Sequence, residues 1–238
     1  MERLFDMKFY DKSLSNLVEE LGYIIDRDKK ASIFTPNVDH IINLKENYQV
    51  KEKYIDGDYI IADGWPLVAV GKIKGINVSR ITGVDLMDSL LELANKKGYG
   101  LYFLGAQDDT LNKLSENIKG KYKNITEINY HHGYFKNDDE IISYINNSKT
   151  NILFVGMGNP KQEIWIKNNI EKLNINIAIG VGGAFKIFSE EIERAPRWVQ
   201  KIGMEWFYRF TKEPKRLFGR YFIKYPKFIK YTIKEIMN

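Results

Sequence analysis

Six short runs rich in apolar and β-branched residues recur along the chain, and most are separated by segments of helical character. The runs that predict strands are ASIF (31–34), DYIIA (58–62), GLYFLG (100–105), ITEINYH (125–131), NILFVG (151–156) and INIAIGVG (175–182). Strands that alternate with helices of about 10–15 residues indicate βαβ units. The pattern therefore predicts the α/β class, with a Rossmann-like, mostly parallel sheet flanked by helices.

Five segments between these runs predict helices. They are VDHIINLKENY (38–48), GVDLMDSLLELANKK (83–97), DTLNKLSENIKGKY (109–122), DDEIISYINN (138–147) and PKQEIWIKNNIEKL (160–173). The apolar runs LYFLG and ILFVG do not alternate with polar residues, which is typical of strands buried on both faces. A chain of 238 residues can bury a sizeable core in one such domain, with or without an appendage.

Several classes of protein are excluded or disfavoured. Cysteine is absent, which excludes a disulfide framework and thiolate metal sites. The N-terminal stretch MERLFDMKFYDKSLSNL carries acids and lysines where a signal peptide needs an apolar run. No segment reaches the roughly 18–20 uninterrupted apolar residues of a membrane span. We therefore expect a protein that is soluble or lies on a surface.

Charge divides the chain near residue 194. Residues 194–238 hold 12 of the 36 Lys and Arg but only 3 of the 31 Asp and Glu, a net charge of +9, whereas residues 1–193 carry −4. Eleven of the 32 aromatic residues also lie in 194–238. We expect an α/β catalytic domain (1–193, the body) followed by a basic, aromatic-rich helical appendage (194–238). The asymmetry favours an anionic surface as partner.

The appendage is predicted to contain an amphipathic helix from about Pro214, because proline suits a first helical turn. At 100° per residue, the cations Arg216, Arg220 and Lys224 share one edge. The adjoining apolar face consists of Leu217, Phe218, Tyr221, Phe222 and Tyr225. This composition is typical of an interfacial helix at an anionic bilayer. In the plainer alternatives, the rings pack on the body and the cations form a solvated face. Nucleic acid is disfavoured as the partner because the acidic body offers no matching groove.

Small and polar residues cluster where the predicted strands end. These segments are TPNVD (35–39), ADGWP (62–66), LGAQDD (104–109), VGMGNPKQE (155–163) and VGGAF (181–185). Open parallel sheets bind ligands beyond the carboxyl ends of their strands, and glycine there lets backbone N–H groups approach a phosphate. The plainer alternative is that each glycine only permits a tight turn. GMGNP (156–160) lacks the GxGxxG pattern, which favours a phosphate- or sugar-facing loop over a dinucleotide site.

Asp63 is the carboxylate best placed for chemistry. It follows the apolar run YIIA and precedes Gly64, so we expect it at the mouth of the sheet. Partial burial there raises the pKa of a carboxyl group and suits it to act as a general base. The alternative is that Asp63 caps the following helix. Thr35, Asn37 and Asp39 are expected around the same mouth, again with N-capping as their alternative.

The sequence predicts no metal site and no cofactor. Asp56 and Asp58 match the Asp-x-Asp pair of many sugar-nucleotide enzymes, but they precede their strand and so lie at the wrong end of the sheet. We interpret them as part of a turn. The three histidines, His40, His131 and His132, lack the spacing of metal ligands, and no cysteine accompanies them.

Eight sequence blocks occur in a characteristic order. They are TPNVDHI, IADGWPLV, RITGVDLM, YFLGA, VGMGNPKQEIWI, GVGGAF, RAPRWVQKIGMEWFYR and EPKRLFGRY. In this order they resemble glycosyltransferase family 26, the WecG/TagA/CpsF proteins, and most closely the TagA branch, from about residue 8 to about residue 230. The resemblance implies a metal-independent, inverting glycosyltransferase. Such an enzyme moves an N-acetylhexosaminyl-type sugar from a UDP-sugar to an undecaprenyl-diphosphate-linked acceptor.

The TagA branch implies transfer from UDP-N-acetylmannosamine to the GlcNAc of GlcNAc-diphospho-undecaprenol, which builds the wall teichoic acid linkage unit in cell wall biogenesis. Other members use N-acetylmannosaminuronic acid or other hexoses. The implied partners are the UDP-sugar, the lipid-linked acceptor and an anionic membrane surface, without nucleic acid. The implied location is cytoplasmic and peripheral, on the inner face of the bacterial cell membrane. The oligomeric state is not fixed, and a homo-oligomer stays open.

The resemblance also implies roles for individual positions. It implies a general base, and arginines of the appendage that contact the diphosphate groups of the substrates. The catalytic candidates are Asp63, Thr35, Arg209, Arg216 and Arg220. The substrate-binding candidates are Asn37, Gly64, Arg80, Gly105, Gly156, Gly158, Asn159, Gln162, Gly182 and Gly183. Lys186, in AFKIFSE (184–190), stands where many family members carry an acid, so no acidic role is assigned there.

Two other classes of function stay open. A peripheral module that only binds anionic lipid would use the strand-end residues merely as helix caps, and turnover of a UDP-sugar would exclude it. A nicotinamide-dependent oxidoreductase of nucleotide sugars would bind NAD(P)H, which a fluorescence titration detects.

Overall fold

The computed structural model describes residues 3–47, 51, 52, 54 and 57–237, with the side chain of Arg216 outside the described part. These residues form a six-stranded, all-parallel sheet in the order β2-β1-β6-β5-β3-β4. The strands are β1 (Ala31–Phe34), β2 (Tyr59–Ile60), β3 (Leu101–Gly105), β4 (Ile128–His131), β5 (Ile152–Gly156) and β6 (Ile177–Gly180). Each strand lies within one of the six predicted runs, which confirms the α/β class.

Helices connect the strands and continue into the appendage. In the body they are α1 (Leu14–Asp26), α2 (Val38–Glu46), α3 (Trp65–Ile73), α4 (Gly83–Lys97), α5 (Asp108–Lys121), α6 (Asp138–Asn146), α7 (Lys161–Asn169) and α8 (Phe185–Phe188). In the appendage they are α9 (Arg197–Lys201), α10 (Glu205–Lys212), α11 (Pro214–Phe218) and α12 (Pro226–Met237). Short 3-10 turns cover Ile170–Lys172 and Gly182–Ala184, and a π-helical segment covers Gly219–Lys224.

Local capping explains why α4 has the same bounds as its prediction. The Thr82 side chain accepts a hydrogen bond from the Asp85 N–H at the first turn. Gly98 ends the helix with a φ of 73°, which glycine adopts without steric cost. Helix α1 was not among the predicted helices, although Ser13 caps it by accepting from the Asn16 N–H.

The four central strands β1, β6, β5 and β3 are buried on both faces, as the uninterrupted apolar runs predict, whereas the edge strand β4 is half-buried. Leu104 and Leu153 belong to a core cluster shared with α2, α6 and α7. Phe103 and Phe154 point to the opposite face and belong to a second cluster shared with α1, α4 and α5. Their two rings stack with centroids 5.3 Å apart. The two clusters fix the sheet and hold the strand ends in place.

The appendage differs from the single amphipathic helix predicted from Pro214. Helix α11 ends at Phe218, the π-helical segment follows, and α12 begins at Pro226. A π-helical turn advances by fewer degrees per residue than an α-helix, so the 100° extrapolation fails beyond α11. Tyr225, the residue before Pro226, keeps αR dihedral angles, so the chain continues from the π-helical segment into α12 without an extended residue between them.

The apolar residues of the appendage divide between the body and the surface. Leu217 and Phe228 are buried, and the Phe228 ring lies 5.7 Å from that of Phe5. Phe218 and Phe222 are each 54% exposed. The alternative in which rings pack on the body therefore applies to part of the appendage, while another part keeps an exposed apolar surface. Within the described ranges, none of the helices is both long enough and apolar enough to cross a membrane.

Candidate active site

The carboxyl ends of β2, β1, β6 and β5 lie side by side, so the segments after them gather many of the candidate residues at one edge of the sheet. Asp63 follows β2, and its N–H donates to the Pro36 carbonyl at 2.9 Å. The Thr35 hydroxyl, after β1, donates to the Gly180 carbonyl of β6 at 2.8 Å. These hydrogen bonds tie three strand ends together around the mouth that the sequence predicts.

Asp63 lies at a sharp turn between β2 and α3. Gly64 follows it with a φ of 133°, where a residue with a Cβ would be strained, and Gly64 is itself the N-cap position of α3. The alternative role of Asp63 as the cap of this helix is therefore not supported. On the other side of the turn, Ala62 pairs with Arg80 through an isolated parallel bridge, which brings Arg80 to the site.

The pKa of the Asp63 carboxyl is raised from 3.8 to about 6. Burial is the main cause, because desolvation disfavours the charged form, and the negative charge of Glu205 raises the pKa further. Positive charge at His40, Arg209 and Arg80 acts in the opposite direction. A carboxylate with this pKa is largely ionised at neutral pH and still basic enough to accept a proton, as a general base requires.

Glu205, in the first turn of α10, joins the appendage to the body beside Asp63. One carboxylate oxygen lies 3.1 Å from Nη2 of Arg80, and the other lies 3.8 Å from Nε of Arg194. Arg194 also donates to Oδ1 of Asp85 in α4 at 2.6 Å. Glu205 was not among the predicted site residues. One feature of the sequence could have indicated it: Glu205 is one of only three acidic residues in the basic appendage.

Arg209 of α10 reaches the glycine-rich turn that follows β6. Its Nη2 lies 3.8 Å from the position that a Cβ atom on Gly183 would occupy. Its Nε is buried without a hydrogen-bond partner among the described residues. No atom lies within 4 Å of a Cβ built on Gly182. A guanidinium group beside an open, glycine-rich helical turn is suited to bind phosphate oxygens.

The other two appendage arginines are placed differently. The side chain of Arg216 lies outside the described part of the chain, so its predicted contact with a diphosphate is not described. Arg220 forms an ion pair with Asp39 at the start of α2, and Lys224 lies 3.2 Å from the same carboxylate. The structure therefore brings Arg209 near Asp63, whereas Arg220 is engaged by a carboxylate of the protein.

Thr35 and Asn37 both have local structural roles. Thr35 is buried, and its hydroxyl proton is already donated to β6. Asn37 is the N-cap of α2: its side-chain oxygen accepts from the Asp39 N–H at 3.0 Å, and its own N–H donates to Nδ1 of His40 at 3.2 Å. The capping alternative thus describes Asn37 as this structure shows it, and both residues lie at the mouth beside Asp63.

The loop after β5 is held in place by a hydrogen bond to Gln162. The amide oxygen of Gln162 accepts from the Gly158 N–H at 3.1 Å, and its Nε2 donates to Glu163 at 2.8 Å. In the same loop, the Asn159 side-chain oxygen accepts from Asn43 at 2.5 Å, whereas its Nδ2 is buried without a partner among the described residues. An unpaired buried donor costs free energy unless a ligand or water satisfies it.

Four of the six predicted glycines fall into two pairs. A Cβ on Gly105 would lie 2.5 Å from the Gly156 backbone, and a Cβ on Gly156 would lie 2.7 Å from the Phe185 ring. Close packing therefore explains both of these glycines without a ligand. Cβ atoms on Gly158 and Gly182 would meet no atom within 4 Å. Of these four, the second pair leaves room for a ligand at the mouth.

Metal ligands are not gathered in the part of the chain that the structure describes. No group of three or more His, Cys, Asp and Glu residues there is arranged to hold a metal ion. Asp58 accepts from the Ser32 N–H at 2.8 Å and from its hydroxyl at 2.7 Å, at the start of the sheet, while Asp56 lies outside the described residues. This position of Asp58 agrees with its interpretation as part of a turn.

A groove lies away from this edge of the sheet. It has a volume of about 640 Å³ between α1 and α4, and it is lined by residues such as Leu14, Tyr23 and Leu93. It contains none of the predicted site residues. A carboxyl group with a raised pKa and several cations converge at the strand ends instead, which makes that edge of the sheet the candidate active site.

Residues from several of the eight sequence blocks meet at the strand ends, and a comparison with protein families identifies the family. A sequence model of the glycosyl transferase WecG/TagA/CpsF family matches residues 2–238. The chain belongs to this family. It is therefore a glycosyltransferase, and the predicted family is confirmed.

Three relatives carry the same printed name, N-acetylglucosaminyldiphosphoundecaprenol N-acetyl-beta-D-mannosaminyltransferase. The protein of Bacillus spizizenii strain W23 is 31% identical over 231 residues, 96% of this chain and 89% of its own length. That of Bacillus subtilis strain 168 is 28% identical, over 100% of this chain and 93% of its own. That of Staphylococcus aureus strain MW2 is 29% identical, over 90% of this chain and 85% of its own. This member of the WecG/TagA/CpsF family is thus similar to these transferases along nearly all of its length.

Proposed function

We propose that the protein transfers N-acetylmannosamine from UDP-N-acetylmannosamine to the GlcNAc of undecaprenyl-diphosphate-GlcNAc, with inversion and without a metal ion. The observation that carries the proposal is Asp63, a carboxyl with a pKa of about 6 at the mouth of the sheet, faced by Arg80 and Arg209. The printed names of the relatives support this donor and acceptor.

Asp63 acts as the general base in this proposal. The acceptor hydroxyl of GlcNAc attacks the anomeric carbon of the donor in line with the departing UDP, and Asp63 takes the proton of that hydroxyl. The bond from the anomeric carbon to the acceptor oxygen forms as its bond to the diphosphate oxygen breaks. One displacement of this kind inverts the configuration at the anomeric carbon.

Arg209 stabilises the negative charge that develops on the departing UDP. Its guanidinium lies beside the turn at Gly182 and Gly183, so a phosphate there meets a cation and the start of a helical turn. Fixed donors aimed at a developing charge lower the barrier without reorganisation during the reaction. This arrangement supplies the charge stabilisation that a metal ion provides in other sugar-nucleotide enzymes.

The body and the appendage have different roles in this proposal. Residues 1–193 carry the base and the strand-end loops, and residues 194–238 bring Arg209 to the site and hold the protein at the membrane. The exposed rings of Phe218 and Phe222 support this second role, as do the many cations around them. The acceptor is lipid-linked, so we place the protein peripherally on the inner face of the cell membrane.

The decisive experiment is transfer to a lipid-diphospho-GlcNAc acceptor from a panel of UDP-sugars, with and without excess EDTA. We expect UDP-N-acetylmannosamine to be the best donor and EDTA to have no effect. Preference for another UDP-sugar would reassign the donor. Loss of activity in EDTA that Mg²⁺ or Mn²⁺ restores would contradict the metal-independent mechanism.

Asp63→Asn tests the base in two ways. Turnover should fall by roughly 10²- to 10⁴-fold, because the proton acceptor is lost. Stability should move in the opposite direction. Because the pKa of Asp63 is higher in the folded state, the folded wild type binds more protons between about pH 4 and pH 6 and loses stability as the pH rises through that window.

The matching stability prediction is that Asp63→Asn unfolds at a higher temperature than the wild type above pH 6 and at about the same temperature near pH 4. The gain is at most about 3 kcal/mol and is smaller in practice, because the side chain is partly exposed to solvent. Calorimetry at both pH values measures it. Normal turnover in the folded variant would remove Asp63 from the chemistry.

A further inference from the structure

A carboxylate and an imidazole that no step above uses are buried behind the site. Glu163, in α7, is 0% exposed, and His40, in α2, is 7% exposed. Their side chains approach with Nε2 of His40 3.4 Å from Oε1 of Glu163. Ionisable side chains are rarely buried to this extent unless they are paired, because removing a charge from water is costly. Oε2 of Glu163 has no hydrogen-bond partner among the described residues.

This pair lies in the middle of a chain of polar contacts that crosses the floor of the site. The central contact, between His40 and Glu163, is a close approach of charged groups rather than a hydrogen bond, because Nε2 of His40 has no hydrogen-bond partner among the described residues. On one side, Oε1 of Glu163 accepts from Gln162, whose amide oxygen accepts from the Gly158 N–H. On the other side, Nδ1 of His40 accepts from the Asn37 N–H and lies 2.9 Å from the Asn37 side-chain oxygen. The chain thus links the start of α2, after β1, to the loop after β5. Both of its ends are candidate substrate-binding residues.

These contacts fix the orientation of the Gln162 amide and of the His40 ring. Because Nε2 of Gln162 points to the Glu163 carboxylate, the amide oxygen must face Gly158. Nδ1 of His40 faces Asn37, where it accepts from the N–H when the ring is neutral and donates to the side-chain oxygen when the ring is protonated. In both states Nε2 is the ring nitrogen that faces Glu163. A substitution at Glu163 or His40 therefore removes a contact that holds Gln162 or Asn37 in place at the mouth.

His40 also faces the proposed base, since its positive charge lowers the pKa of Asp63. The other charges acting on Asp63 are Glu205, Arg209 and Arg80. The groups around His40 itself are the Glu163 carboxylate and the Tyr54 ring, 5.8 Å away between centroids. The His40–Glu163 pair is thus the connection between the buried floor and the carboxyl group at the mouth.

We propose that His40 and Glu163 are positioning residues of the transfer reaction, which hold Asn37 and Gln162 in place and set the charge behind Asp63. The inference rests on the proposed function. Neither side chain touches substrate in this account. Each acts through residues that do, which separates this role from that of a catalytic group.

The first test measures the titration of Asp63 directly in the full chain. Carboxyl-labelled aspartate gives an NMR signal for Asp63, assigned by its absence in Asp63→Asn. His40→Asn keeps an acceptor for the Asn37 N–H and removes the ring that carries the charge. Without that positive charge, the Asp63 titration should move upward by roughly half a unit to one unit. An unchanged titration in the folded variant overturns the proposal, and this arm does not depend on any transfer assay.

The second test separates positioning from simple loss of stability. Glu163→Gln keeps an acceptor for Gln162 but removes the charge that pairs with His40, and we expect kcat to fall roughly ten- to hundred-fold. The matched control is Asn176→Ala, at the opposite end of β6, where a buried amide donates to Asp28 and to the Lys29 carbonyl. The control should lower the unfolding temperature and leave kcat and the Asp63 titration as in the wild type.

The outcomes are distinguishable. If the wild type transfers sugar and Glu163→Gln and His40→Asn lose only stability, as the control does, the positioning role is wrong. If the wild type transfers no sugar from any UDP-sugar, the proposed function fails, and the NMR titration still decides whether His40 sets the charge behind Asp63. If His40→Asn does not fold, kcat of Glu163→Gln decides the question: a wild-type value overturns the proposal.

Discussion

The body and the appendage meet at the same mouth, but different interactions hold them there. In the body, buried hydrogen bonds tie one strand end to the next, such as that from the Thr35 hydroxyl to the Gly180 carbonyl. The appendage docks through buried apolar side chains together with ion pairs, such as that of Lys227 with Glu46 at 2.7 Å. Exposed ion pairs are weak individually and are screened by salt. The body therefore provides a fixed frame, and the appendage adds charges whose docking depends on the solution.

The largest effect should come from removing the appendage. A chain that ends at residue 193 lacks Arg209 and Glu205, and we expect transfer to become undetectable while the body still unfolds cooperatively. It should unfold at a lower temperature than the full chain, because the body loses the packing of Leu217 and Phe228. Circular dichroism and the transfer assay measure both. Substantial transfer by this body alone would show that the appendage does not belong to the site.

This comparison also explains how much the sequence could predict. The six strands and helix α4 follow from local patterns: apolar runs, the Thr82 cap and Gly98 at the end of the helix. Asp63 could be placed because a single strand end and one glycine determine its position. Its raised pKa could be anticipated for the same reason, since burial at the end of a strand is the main cause.

Interactions between distant parts of the chain could not be predicted in this way. The ion pair of Glu205 with Arg80 joins residues that are 125 positions apart. The spacing of apolar and polar residues along the chain does not indicate such a contact. The buried pair of His40 and Glu163 depends on how α2 and α7 pack, although both residues lie in recognised blocks. The geometry of the appendage was mispredicted beyond Phe218, because the π-helical segment changes the angle between successive residues.

A smaller effect should follow from changing one cation of the appendage. Arg209→Gln should lower transfer roughly ten- to hundred-fold with a short-chain, water-soluble diphosphate acceptor, because contact with phosphate needs no bilayer. Lys230→Gln, at an exposed position of α12, is the matched control and should transfer as the wild type does. If both variants are fully active on the soluble acceptor, the appendage serves only as an anchor.

A still smaller effect on chemistry should follow from changing the exposed rings. Replacing Phe218 and Phe222 by Ser should weaken sedimentation with anionic liposomes several-fold and change transfer to the soluble acceptor less than about three-fold. The control is Tyr23→Ser in α1, an aromatic residue of the body that is also 54% exposed. Equal loss of liposome binding in the control would mean that these two rings have no special role at the membrane.

The central claim is that the body and the appendage build one site around Asp63, and the pH dependence of kcat/KM for Glu205→Gln tests it most directly. Transfer requires ionised Asp63, so in the wild type it should rise with pH through a limb near pH 6. Glu205 raises the pKa of Asp63, and removing its charge should move that limb to lower pH. A limb that stays in place in a folded Glu205→Gln variant would contradict the composite site.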